Sequence, residues 1–167
     1  MGAVGAQKTT EWQKGLARLT QFMGQWWIDY PKILGSSNLT TGELETFFEQ
    51  GFRTIISLLD ETKQCPRYDV DALVALGYQR YNIPVEDFTA PTFDQLEEFS
   101  AIVSACSKAI VHCQGGVGRT GTMAAAYWIS KGLFAEQAIS KTREQNKHAI
   151  ETKSQEQVLR DWEAKQV

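Results

Sequence analysis

The sequence predicts an α/β fold: a single domain on a central, mostly parallel, twisted sheet flanked by helices, with an extra helix at the N-terminus. Three observations carry this. Short apolar, β-branched runs alternate with helical stretches, the pattern that lays helices on the faces of a sheet. Residues 109–121 read as strand, tight loop and helix in immediate succession. The 167 residues hold no linker, internal repeat or low-complexity tract, so they suit one full domain and not two.

The elements follow in order. Trp12, Leu16, Leu19, Phe22 and Met23 recur at three- and four-residue steps, which predicts an amphipathic helix over 7–24. Its apolar stripe can pack on the chain's own core or serve a partner. Residues 1–27 form an N-terminal extension and residues 28–167 the main domain. Short strands at 26–30 and 32–35 flank Pro31. Thr40 or Thr41 caps a helix over 42–50, which Gly51 ends. Residues 53–59 are apolar and β-branched, a buried strand. A polar loop containing Pro66 leads to a short helix over 70–76 that stops at Gly77. A strand at 78–84 and an acidic loop at 85–91 come next. Thr92 caps a helix reaching Lys108, with Gln95 or Glu98 assisting. The strand 109–112 precedes helices near 119–131, 135–146 and 154–165.

With 43% hydrophobic and 22% charged residues the composition is that of a soluble globular domain. A formal charge of −3 gives no general attraction to nucleic acid or acidic membrane, so no nucleic-acid partner is expected. No window approaches eighteen consecutive apolar residues, so no membrane span is expected. The N-terminus has no basic region followed by an apolar core, and Ala6 stands where a myristoylation site wants Ser or Thr. Three irregularly spaced cysteines suggest no disulfide framework and fit a reducing compartment, cytoplasm or nucleus. With only His112 and His148 and no C-x-x-C pair, no metal site is expected.

The chemistry concentrates in residues 112–121, His-Cys-Gln-Gly-Gly-Val-Gly-Arg-Thr-Gly. A tight loop ahead of a helix points successive N–H groups into one concavity, and the helix dipole adds positive potential there. That is a site for an anion. A cysteine at such a helix start, beside a cation, is placed for nucleophilic catalysis. A lone cysteine is more often a buried structural residue, which is the expectation for Cys65 and Cys106. Cys113 differs because Arg119 lies six positions later across Gly115, Gly116 and Gly118. A curled loop brings that guanidinium over its own mouth, where it can grip two oxygens of an oxyanion. The competing nucleotide-loop pattern G-x-x-x-x-G-K-[ST] fails, because Cys113 and Arg119 fall on its first glycine and its lysine.

Residues 112–121 match H-C-x-x-G-x-x-R-[ST]-G, and the chain thereby resembles the cysteine-based protein tyrosine phosphatases, in particular the small atypical dual-specificity branch. Residues 83–91 resemble that family's general-acid loop, and residues 149–152 with Gln155 resemble its C-terminal region. The likeness spans roughly residues 28–165, which makes 28–167 the phosphatase domain, and leaves the 7–24 helix outside. The resemblance implies a dual-specificity phosphatase-like fold and hydrolysis of phosphotyrosine, with phosphoserine and phosphothreonine, in a protein or peptide partner. Cys113 would form a phosphocysteine. Arg119 and the amides of Gln114, Gly115, Gly116, Val117 and Gly118 would hold the phosphoryl oxygens. Asp87 would be general acid and base, preferred over Glu86 because the family sets aspartate before an aromatic residue; Asp94 is a lesser candidate. Thr120 would assist the cysteine sulfur as it leaves. His112 would support the loop, and Gln155 would position water, though an exposed helical glutamine is an equal reading. No cofactor is implied. The alternatives are a phosphatase of a non-protein substrate (a phosphoinositide or an RNA 5′-phosphate) and a phosphate-binding module without turnover. Uncharged Gln114, Gly115 and Val117 disfavour a highly charged inositol substrate.

Overall fold

The computed structural model describes residues 24–167. The amphipathic helix expected over 7–24 lies outside them except for Gly24. The strands are β1 (Gln25–Asp29), β2 (Ile33–Ser36), β3 (Thr54–Ser57), β4 (Gln79–Asn82) and β5 (Ala109–His112). The helices are α1 (Thr41–Glu49), α2 (Val70–Leu76), α3 (Phe93–Ala105), α4 (Gly118–Ser130), α5 (Ala135–Gln145) and α6 (Lys153–Gln166). The fold is the expected α/β domain, a five-stranded sheet with helices on both faces. The sheet includes residues 25–27, which the sequence reading placed in the N-terminal extension.

The strand order is β1-β2-β5-β3-β4. β1 pairs antiparallel with β2, and the remaining pairs are parallel. β5 is central because it is apolar on both faces. Ile110 joins Leu34 and Ile55 in the core under α1 and α2, while Ala109 and Val111 join Ile33 and Ile56 in the larger core under α3 to α6. This is the two-residue alternation of a pleated strand covered on both sides.

Helix starts follow the capping chemistry. Thr40 and Thr92 each close a capping box, with Glu43 and Gln95 respectively, and Asp69 caps α2. α3 stops at Ala105, short of the expected Lys108, because Cys106 turns extended and the chain must enter β5 at Ala109. β3 is shorter than the apolar run 53–59. Beyond Ser57 the Leu58 amide donates to the His112 carbonyl, and Asn82 Nδ2 donates to the carbonyls of Ser57 and Leu59. α4 is buried on almost every side, from Gly118 to Tyr127. Its small residues Ala124, Ala125 and Ala126 let it pass between the sheet and the outer helices α5 and α6.

Candidate active site

β5 lies between β2 and β3, and the chain leaves its carboxyl end directly into the loop holding Cys113. In open α/β sheets that end is where ligand crevices form. The 113–117 loop then runs into α4. Val117, at the N-cap position, makes no side-chain cap hydrogen bond, unlike Thr40, Asp69, Thr92 and Thr152 at their helices. The first amides of α4 therefore have no side-chain acceptor and point toward the loop, an arrangement suited to an anion.

The loop is braced from behind. Gly116 has φ +72, and a Cβ there would lie 2.4 Å from the Ser37 nitrogen, so only glycine fits. Its carbonyl accepts from Trp26 Nε1 at 2.9 Å, and the Gln114 carbonyl accepts from the Asn38 amide at 3.1 Å. The Gln114 side chain turns outward to Asn38 Nδ2. Gly115 is exposed and Val117 half-buried at the rim.

Cys113 is buried, with its sulfur accepting hydrogen bonds from Thr120 Oγ1 at 3.1 Å and the Gly116 amide at 3.2 Å. Two donors aimed at one sulfur are placed to stabilise negative charge that develops there when it acts as a leaving group. Arg119, 2% exposed, donates from Nη1 to the Val85 carbonyl and from Nη2 to Gln64 Oε1. Nη2 also lies 3.2 Å from Asp87 Oδ1. Its Nε has no partner despite burial. An orphaned guanidinium N–H costs free energy unless an acceptor reaches it. Nε shares an edge of the guanidinium with Nη2, the edge that takes two oxygens of a phosphate side-on.

Asp87 is brought to this cluster. Its Oδ2 accepts from Gln64 Nε2 at 3.1 Å and its Oδ1 from the Phe88 amide. Glu86 turns away: it pairs with Lys63 Nζ at 2.7 Å with most of its side chain in solvent. Asp94 sits exposed in the first turn of α3, away from these contacts. His112 lies behind the loop. Its Nε2 meets the Tyr68 hydroxyl at 2.8 Å and its Nδ1 the Cys113 carbonyl at 3.3 Å. Burial pushes its pKa down to about 4, so the ring is neutral, with Nδ1–H donating to that carbonyl.

Gln155 corrects one expectation: it is fully buried, not an exposed helical residue. Its Oε1 accepts from the amides of Glu151 and Thr152, and its Nε2 donates to the Thr89 carbonyl at 3.2 Å. It therefore ties the start of α6 to the acidic loop. Cys65 corrects another, being exposed in the loop before α2 instead of buried, while Cys106 is half-buried. Gln64 and Asn38 were missed; both lie in polar loops where no periodicity or motif marks them. Among the described residues no cluster of three metal-ligand side chains occurs, and no helix is long and apolar enough to cross a membrane.

Comparison with known proteins agrees with this geometry. Residues 32–161 match the family described as "DSP-PTPase phosphatase fused to NAD+ Kinase". The chain belongs to this phosphatase family. Over 108 residues the phosphatase domain is 33% identical to the rice (Oryza sativa subsp. japonica) protein named probable NAD kinase 2, chloroplastic, a match covering 62% of this chain. It is 27% identical over 134 residues to the mouse protein tyrosine phosphatase domain-containing protein 1, covering 71% of this chain. The phosphatase domain spans only 11% of the rice protein and 18% of the mouse protein. The crystal structure of Tk-PTP in its active form superposes with a TM-score of 0.75 at 29% identity, covering 84% of this chain and 97% of that one.

Proposed function

We propose that the domain hydrolyses phosphomonoesters of tyrosine, and of serine and threonine, in proteins, through a phosphocysteine on Cys113. The observation that carries this is the pairing of Asp87 with the buried Arg119, whose Nε is left without a partner, in a helix start entered from the loop that holds the buried, doubly hydrogen-bonded Cys113 sulfur. The mouse relative's name, a protein tyrosine phosphatase domain, supports the protein substrate.

The steps follow from positions. A phosphate dianion takes the loop amides and the Nε/Nη2 edge of Arg119, whose charge it neutralises; Asp87 is thereby freed from its ion pair and takes up a proton from solvent. The Cys113 thiolate attacks phosphorus in line. As the S–P bond forms, the P–O bond to the alcohol or phenol breaks, and that oxygen takes the proton of Asp87. The second step runs on the same groups. Water gives a proton to the Asp87 carboxylate and attacks phosphorus. The S–P bond breaks, inorganic phosphate forms, and Thr120 and the Gly116 amide stabilise the departing thiolate. Both ends of the Gln155 amide are occupied, so we assign it the holding of the acid loop; water positioning would first require loss of its bond to Thr89.

The test is phosphate release, in the presence of a chelator, from phosphotyrosine and phosphothreonine peptides, phosphoinositides, 5′-triphosphate RNA and NADP, the last because the family is described as fused to NAD+ kinase. Turnover of the peptides, inhibited by vanadate and abolished by Cys113→Ser, is the expected result. Turnover confined to a lipid, RNA or nucleotide phosphate would overturn the protein-substrate reading. Vanadate binding with no turnover of any substrate would make the domain a phosphate-binding module.

A further inference from the structure

Gln64 occupies a place that no motif assigns. It lies in the loop between β3 and α2, and it is the one described residue whose side chain bonds both to the phosphate-gripping arginine and to the candidate acid. Oε1 accepts from Arg119 Nη2 at 2.9 Å, and Nε2 donates to Asp87 Oδ2 at 3.1 Å. With Arg119 Nη2 3.2 Å from Asp87 Oδ1, the three side chains close a ring of contacts. An amide suits this place because its two ends differ. The oxygen meets a cation that only donates, and the N–H meets a carboxylate that accepts. A carboxylate at residue 64 would satisfy Arg119 and repel Asp87; a lysine would do the reverse.

We infer that Gln64 is a positioning residue for the reaction proposed above: it orients the Arg119 guanidinium so that Nε faces the phosphate, and it holds Asp87 over the leaving-group side while adding no charge of its own. The inference rests on that phosphocysteine reading. The charge balance around Asp87 makes the neutrality consequential. Arg119 faces it from α4. Lys63 and Asp60 stand nearby on the β3–α2 loop, 3.8 Å apart, and Lys63 is already engaged by Glu86 of the acid's own loop. Arg119 is therefore the nearest cation to Asp87, and a further carboxylate at residue 64 would contest it with both Asp87 and the incoming phosphate.

Two substitutions separate positioning from mere packing, measured on the whole chain with Cys113→Ser as control. Gln64→Met keeps the length and removes both bonds. It should lower kcat for an alkyl phosphate or another poor leaving group about tenfold, while kcat for a nitrophenyl phosphate, which needs little protonation, changes much less. Gln64→Glu should weaken vanadate binding about tenfold, since a carboxylate there competes with the oxyanion for Arg119. Equal losses on good and poor leaving groups in Gln64→Met, or a Gln64→Glu vanadate affinity equal to that of the unsubstituted protein, would overturn the inference. Turnover surviving Cys113→Ser would instead overturn the phosphocysteine reading beneath it.

Discussion

At Asp87 the carboxylate is shared between Arg119 and Gln64, whereas Glu86, one position earlier, is turned out to Lys63. Neighbours in sequence thus have different chemistry, and substitution should separate them. Asp87→Asn should lower kcat for poor leaving groups by about 100-fold or more, with a much smaller effect on nitrophenyl phosphate; Glu86→Gln should leave both within about twofold. Steady-state rates on the two substrate types decide this, and the reverse pattern would move the acid role to Glu86. His112 makes a different prediction. Burial lowers its pKa from 6.5 to about 4, so between those values the unfolded chain binds a proton that the native chain does not. This contribution to stability is present above pH 6.5 and declines as pH falls toward 4. The loss is on the order of 2 kcal/mol by pH 4.5. Urea unfolding at pH 7 and 4.5 should show this extra loss in the unsubstituted protein and not in His112→Asn, whatever the variant's absolute stability. Equal losses in both would mean that His112 does not titrate in this way.

The element that shapes the site is α4 with the loop before it. Gly121 touches the segment before α6 so closely that a Cβ would lie 2.8 Å from both the Ala149 Cβ and the Ile150 nitrogen. Gly121→Ala should destabilise by about 1–3 kcal/mol through overpacking, read as a lower urea midpoint with the fold retained. Gly116→Ala meets backbone on the β2 side and a positive φ together. It should therefore distort the anion cradle, and the expected outcome is a loss of vanadate binding larger than the loss of stability. The opposite order would show that the loop tolerates the extra atom. At this scale much was legible in the sequence. Strand and helix types followed periodicity, and Thr40, Thr92 and Gly77 marked ends through capping and backbone chemistry. What periodicity could not supply were the places where tertiary contacts decide. One is the end of α3 at Ala105, set by entry into β5. Another is the burial of Gln155, whose surroundings on α6 are polar in sequence.

Across the whole molecule, a two-residue alternation in β2, β3 and β5 builds two cores, and the order β2-β5-β3 sets the end of the central strand beneath an uncapped helix. The 112–121 signature was readable because its spacing is local. The meeting of Asp87, Gln64 and Arg119 was only partly so. Two loops and the first turn of α4, remote in sequence, converge there, and only the sheet order brings them together. Gln64, with no motif around it, became visible through its contacts alone. The family match over residues 32–161 agrees with the extent of the fold that builds this site. Passage of phosphate through Cys113 is read most directly by mass spectrometry of the protein quenched in acid within milliseconds of mixing with an aryl phosphate. The predicted result is a transient adduct of one phosphoryl group on the peptide carrying Cys113, absent from Cys113→Ser. Turnover at the normal rate with no adduct at any time before the first turnover, or an adduct on another residue, would contradict it.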